Sequence, residues 1–179
     1  MVSMHQQQRP LLLLVDGNAL VHRAFHALPP LTTSKSGEMV NAVYGFANTL
    51  FKVVNTVKAS HWAIAFDYPA PTFRHELYEQ YKAKRPPTPE ELKSQIQRVH
   101  ELADVLGMPS FEVKGYEADD VLGTLAAQAV DAGIEAAILT GDRDLLQVIR
   151  PGITVLLPGR NFSDAVSYDA TAVQSRFGV

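Results

Sequence analysis

The sequence predicts an α/β fold: a three-layer α/β/α domain on a mainly parallel sheet. Short, wholly apolar runs that read as buried strands alternate almost throughout with stretches of helical periodicity. Strands buried on both faces read as continuous apolar runs, and strand–helix alternation is the signature of parallel crossovers. A third observation is that these runs lead, one after another, into acidic residues. The length of 179 residues suits a single core, and 46% hydrophobic with 20% charged residues excludes a mostly disordered chain.

Residues 1–10 read as a disordered tail without the apolar stretch of a signal peptide. Leu11–Val15 is the first strand, closed by Asp16-Gly17. His22 and His26, spaced i, i+4, are expected to flank Phe25 on a short helix rather than to bind a metal. Asn41–Val57 carries apolar residues at 43, 46, 47, 50, 53, 54 and 57, one helical face, with Tyr44, Phe46 and Phe51 expected as core aromatics. Trp62–Phe66 is the second strand and ends at Asp67. The stretch from about 69 to 89 holds five prolines and the cations of Tyr81-Lys82-Ala83-Lys84-Arg85, and predicts an exposed connection with a helical turn or two around Phe73–Tyr81. Connections of that length in compact domains usually have a function or are disordered. Thr88-Pro89-Glu90-Glu91 predicts a helix start, with Thr88 as cap and Glu91 completing a capping box; the helix runs to Leu106. A third strand at Pro109–Val113, a helix at Tyr116–Ala132 and a fourth strand at Glu135–Thr140 follow. A short helix at Asp142–Ile149, a fifth strand at Ile153–Leu157 and a helix at Asp169–Phe177 complete the chain.

Composition excludes several chemistries. There is no cysteine, hence no disulfide framework, thiolate metal site or cysteine nucleophile, which is compatible with a cytoplasmic location. No apolar run approaches the ~20 residues of a membrane helix. Phosphate-binding glycine loops, dinucleotide fingerprints and His-Glu-x-x-His are missing. The net charge of −3 announces no polyanion partner, but its distribution is polar: eight acids and two bases lie between Glu112 and Asp144. The basic strip at 81–85 has no acid.

Ligands of open parallel sheets bind beyond the carboxyl ends of the strands. Asp16, Asp67, Asp142 and Asp144 follow predicted strands directly, and Glu117, Asp119 and Asp120 open a helix just after another. Any one of these is commonly only a helix cap or a partner of the helix dipole. Seven acids at four strand ends are a different matter, because like carboxylates cannot all ionise together without cations. All-oxygen ligation selects Mg²⁺ or Mn²⁺, and two such ions can hydrolyse a phosphodiester with no nucleophilic side chain. Lys82, Lys84 and Arg85 read either as a solvated loop or, with Tyr78 and Tyr81, as phosphate contacts beside stacking rings.

The segments Val15-Asp-Gly-Asn18, Arg23-Ala-Phe-His26, Ala42-Val-Tyr-Gly-Phe46, Phe73-Arg-His75, Tyr81-Lys-Ala-Lys-Arg85, Gly115-Tyr-Glu-Ala-Asp-Asp120 and Thr140-Gly-Asp-Arg-Asp144 resemble the 5′-nuclease domain of bacterial DNA polymerase I, of the flap endonuclease superfamily. The resemblance implies a PIN-like or resolvase-like 5′-nuclease core. It implies metal-dependent cleavage of DNA 5′ flaps and 5′ ends, and of RNA primers on DNA, in replication and repair. It places Asp16, Asp67, Glu117, Asp119 and Asp120 around one ion, with Asp142 and Asp144 towards a second. By the same resemblance Lys82 and Arg85 are cations of an arch over the 5′ strand, and Lys82 contacts the scissile phosphate. Tyr81 stacks on a nucleotide, Arg23 is a basic contact near the same phosphate, and Arg74 and Lys84 join the substrate-binding set.

The family continues into a Gly-Asp-x-Ser-Asp segment and a helix-hairpin-helix duplex-binding element, and a polymerase can follow. This sequence stops at Val179, before both, so a folded but slow nuclease is expected. Two other readings are a non-catalytic DNA-binding module with an incomplete second metal site, and a PIN-like ribonuclease. The basic strip after Asp67 argues against the latter.

Overall fold

The computed structural model describes residues 9–159 and 164–178. Of the tail expected at 1–10, residues 1–8 lie outside the described residues. The elements are β1 (Leu11–Asp16), α1 (Gly17–Ala27), α2 (Asn41–Val57), β2 (His61–Ala65), α3 (Phe73–Leu77), α4 (Glu90–Val105), β3 (Ser110–Phe111) and α5 (Ala118–Asp131). β4 (Glu135–Leu139), a 3₁₀ turn (Asp144–Val148), β5 (Ile153–Pro158), β6 (Ala165–Tyr168) and α6 (Ala170–Phe177) follow.

The sheet order is β3-β2-β1-β4-β5-β6. β1 lies parallel to both β2 and β4, with Leu14 opposite Ala63 on one side and Ile138 on the other. The chain builds outward from β1 to β3 on one side and returns to build β4 and β5 on the other. The direction therefore reverses between β1 and β4, and such switch points leave a crevice at the strands' carboxyl ends.

Alternating side chains of the strands serve opposite faces. Leu13 and Val15 pack with Leu20, Phe46, Leu50, Leu92 and Val99, a core under α1, α2 and α4. Leu14, Ala63, Ile138 and Val155 pack with Val121, Leu122 and Ala126, a second core under α5. The three layers read from the sequence are present. Among the described residues, no helix is long and apolar enough to cross a membrane.

Several local expectations are corrected. Helix α4 starts at Glu90, with Pro89 at the cap position and no side-chain cap hydrogen bond, so Thr88 caps nothing. A residue before proline is pushed towards extended backbone, and the Pro89 carbonyl receives the amides of Leu92 and Lys93. The third strand has two residues, because Glu112 and Val113 are exposed and leave the sheet. The short helix expected at Asp142–Ile149 is present but narrower, as a 3₁₀ turn over Asp144–Val148. Helix α2 buries Ala42, Gly45, Phe46, Thr49, Leu50 and Val53, whereas Tyr44 and Phe51 are exposed and are not core aromatics. Strand β6, unforeseen in the sequence, pairs antiparallel with β5 and buries only Tyr168 of its four residues.

The first residue of α1 lies against β2's exit. A Cβ on Gly17 would overlap the ring of Phe66, which is itself stacked on His100 with centroids 3.6 Å apart. Gly17→Ala is therefore expected to destabilise the fold by roughly 1–3 kcal/mol, as overpacking of a filled core does, in urea unfolding. A neutral result would show that Phe66 can move.

Candidate metal centre

Three of the acids at strand ends, Asp16, Asp67 and Asp142, are fixed by backbone or a neighbouring hydroxyl. Asp16, 2% exposed, caps α1 by accepting from the Ala19 amide at 2.9 Å and takes the Thr140 hydroxyl at 2.7 Å. Thr140 also accepts the Asp142 amide at 2.9 Å, so one hydroxyl ties the ends of β1 and β4 together. Asp67 accepts the Ala118 amide at the start of α5 at 2.8 Å, while its own amide donates to Asn18 at 3.2 Å. Asp142 accepts from the Asp144 amide at 3.0 Å. The cap reading thus holds for Asp16 alone; Asp67 reaches across to the first amide of α5, and Asp142 precedes a turn that has no side-chain cap. Asp119 differs: it accepts no hydrogen bond among the described residues.

The basic connection folds back on the acids. Lys82 Nζ lies 2.6 Å from Glu117 Oε1, and the Tyr81 hydroxyl donates to Glu117 Oε2 at 3.0 Å. Arg74, on α3, grips Asp120 with both terminal nitrogens, at 2.6 and 2.8 Å. Asp120 also accepts the Glu117 amide at 3.1 Å. That bidentate pair holds the Asp120 carboxyl below the usual range. Tyr81 packs edge-on against His75 at 5.2 Å, and Lys84 is exposed.

Two clefts result. One, of about 650 Å³, gathers Asp16, Asp67, Glu117, Asp119 and Asp142 opposite Lys82 and Arg85, with His22 and His26 on its wall. The other, of about 600 Å³, is lined by Arg74, Tyr81, Asp120 and Asp144 and shares Glu117 and Asp119 with the first. Asp142 therefore lines the first cleft, and Asp120 and Asp144 line the second. Arg23 lines neither cleft: its Nη2 donates to the Pro158 and Gly159 carbonyls at 2.9 and 3.0 Å. That placement ties one guanidinium nitrogen to the end of β5.

The electrostatics fit a hard cation. Burial pushes the Asp16 carboxyl up to about 7 against the opposing pull of Ala19 and Thr140, and Asp119 and Asp67 add to the rise. Burial, then Asp142, Asp67 and Glu117, push Asp119 up to about 6. These are oxygen donors whose mutual repulsion a divalent ion relieves. Among the described residues, no three acids stand close enough as placed to share one ion, so ligation requires side-chain rotation.

The pH consequence follows from the sign of the Asp16 shift. A carboxyl whose folded pKa is raised, here from 3.8 to about 7, favours the fold when protonated; its contribution is full below the unfolded value and lost as pH rises through 7. Asp16→Asn keeps a good cap and removes this loss. In chelator, the variant's melting temperature relative to wild type should therefore rise between about pH 5 and pH 8. A difference independent of pH would contradict the assignment.

Sequence reasoning missed Thr140 and Asn18, although both sit inside the quoted motifs, because neither is charged. It also did not foresee that Arg74, placed with the substrate-binding residues, pairs with Asp120.

A family model for the 5′-3′ exonuclease N-terminal resolvase-like domain matches residues 11–178. The chain belongs to that family. Relatives include the thermostable DNA polymerase I of Thermus filiformis, 48% identical over 167 residues, covering 93% of this chain and 19% of that protein. DNA polymerase I of Bacillus caldotenax is 41% identical over 168 residues, covering 94% and 19%. The chain thus spans about a fifth of the length of these relatives. Among solved structures, T5 5′-exonuclease with bound zinc ions superposes with a TM-score of 0.73 at 18% identity, over 94% of this chain and 61% of that one. The T5 D15 protein co-crystallised with metal ions gives 0.71 at 18% identity, over 94% and 60%. At that identity the likeness establishes the exonuclease domain's fold.

Proposed function

We propose that the chain is the catalytic core of a structure-specific 5′ nuclease that hydrolyses phosphodiesters at DNA 5′ flaps and 5′ ends, and of RNA primers paired to DNA, with Mg²⁺ or Mn²⁺. One observation carries the reading: five carboxylates share a cleft with Lys82 and Arg85 at the sheet's switch point. Family membership and metal- and DNA-bound neighbours support it. The donor set for the ions is Asp16, Asp67, Glu117, Asp119 and Asp142, with Asp120 and Asp144 facing the adjoining cleft. When bound, such ions supply Lewis acidity at the phosphate and the leaving oxygen.

The chain's own residues do the rest. The Thr140 hydroxyl on Asp16 ties together the ends of β1 and β4, from which the carboxylates project. Lys82 and Arg85 bring positive charge to the rim, where a phosphate enters, and the 69–89 connection acts as the arch over the 5′ strand. Water adds to phosphorus and gives up a proton to solvent, one bridging P–O bond breaks, and the leaving oxygen gains a proton from solvent. On this reading the work is done in the bacterial cytoplasm, on the nucleoid, with a polymerase domain following in the same chain, and relatives named DNA polymerase I, of which this chain spans about a fifth, support it.

The test is single-turnover cleavage in Mn²⁺ of labelled 5′-flap DNA and, separately, of single-stranded RNA. Cleavage near the flap junction is expected. Tight DNA binding without cleavage would favour the non-catalytic module, and preferential RNA cleavage the ribonuclease. Lys82→Ala should lower the rate far more than duplex affinity, because it acts on developing phosphate charge. Equal losses in both would return Lys82 to a simple binding role.

A further inference from the structure

We propose that Lys82 and a divalent cation compete for the Glu117 carboxylate, so that metal loading is what frees the arch lysine for a phosphate. The inference rests on the metal reading of the cleft and adds a regulation of that site. One dipeptide of the connection hydrogen-bonds both Glu117 oxygens, Oε1 by Lys82 at 2.6 Å and Oε2 by Tyr81 at 3.0 Å, and Arg74 Nη1 stands farther off, 3.9 Å from Oε2. The carboxylate is only 12% exposed and the lysine 27%. A partly desolvated pair like this is not readily exchanged for water, and its replacement needs a stronger cation.

The backbone supports the same account. Lys82 has φ 55°, a left-handed conformation that L side chains disfavour. Turn hydrogen bonds frame it, from the Tyr81 amide to the Tyr78 carbonyl at 2.8 Å and from the Arg85 amide to the Lys82 carbonyl at 2.9 Å. The Glu117 contact holds the side chain at the end of this strained turn, so losing the contact lets the turn relax. Arg74, bidentate on Asp120, is the fixed post beside it. A doubly charged ion that takes Glu117 also repels the ammonium, which leaves Lys82 on the wall of the same cleft without its carboxylate partner and free to meet an entering phosphate.

The experiment is Mn²⁺ binding by electron paramagnetic resonance on the whole chain, comparing wild type, Lys82→Met and Arg85→Met. Arg85 lines the same cleft without contacting Glu117, so its variant measures the general effect of removing one positive charge. Lys82→Met is expected to bind Mn²⁺ roughly five- to tenfold tighter than Arg85→Met, the scale of a modest coupling. In parallel, tryptic cleavage after Lys82 in wild type should accelerate on adding Mn²⁺ and match the rate that Glu117→Gln shows in chelator. Equal affinities of the two Met variants, with wild type still binding Mn²⁺, would overturn the competition and leave the metal reading standing. No Mn²⁺ binding by any of the three proteins would remove the metal reading, and the proposal with it.

Discussion

Asp119→Asn is expected to lower Mn²⁺-dependent cleavage of a 5′-flap substrate by about 10²–10³ while leaving the fold intact, the scale of losing one preorganised electrostatic contribution. Asp119 is the acid of the first cleft with no hydrogen bond to give up, and burial with three neighbouring acids already pushes its carboxyl up to about 6. The amide removes a charge that the metal-free protein does not want and a ligand that the ion does. Melting temperature in chelator should thus hold or rise, and the increment on adding Mn²⁺ should shrink. A rate loss accompanied by unfolding in chelator would instead make Asp119 a structural residue.

Gln95→Leu is expected to cost about 3–5 kcal/mol in urea unfolding, because several buried polar groups lose their partners at 1–3 kcal/mol each. Gln95, 0% exposed, sends its carbonyl oxygen to the Ala42 and Val43 amides at 2.7 and 3.3 Å. Helix α2 has no side-chain cap of its own, so a residue of α4 caps it from across the core. The Gln95 amide donates to Asn41 and to the Glu91 carbonyl, both at 3.1 Å, and Asn41 in turn donates to the carbonyls of Phe25 and Leu28. This network joins α1, α2 and the helix in which the basic connection ends. Combined with Asn41→Ala the loss should fall short of the sum, since the two share hydrogen bonds. Strict additivity would mean that the network does not act as a unit.

The sheet and its acidic edge were legible because parallel strands advertise themselves as unbroken apolar runs that stop at charged residues. Leu11–Val15 and Glu135–Thr140 could hardly be read otherwise. Strand β6 was hidden for the converse reason: on the rim of the sheet only Tyr168 needs burial, so Ala-Val-Ser-Tyr carries no run. The aromatics of α2 misled because periodicity marks a broad apolar face but not how the helix rolls on its neighbours; Phe46 turned inward and Phe51 outward. Pairings across the site were beyond reach. Lys82 with Glu117, 35 residues apart, and Arg74 with Asp120, 46 apart, meet only because the connection doubles back over α5. Composition shows a basic strip and an acidic pole, and tertiary structure alone decides that one neutralises the other.

The central claim is that the carboxylates at the switch point bind divalent cations. Counting bound Mn²⁺ by electron paramagnetic resonance, with wild type beside an Asp16→Asn/Asp119→Asn double variant, tests it most directly. The account predicts saturable binding of more than one ion by wild type, strongly weakened in the double variant although that protein melts no lower in chelator. Absence of saturable binding, or equal binding by the folded double variant, would contradict it.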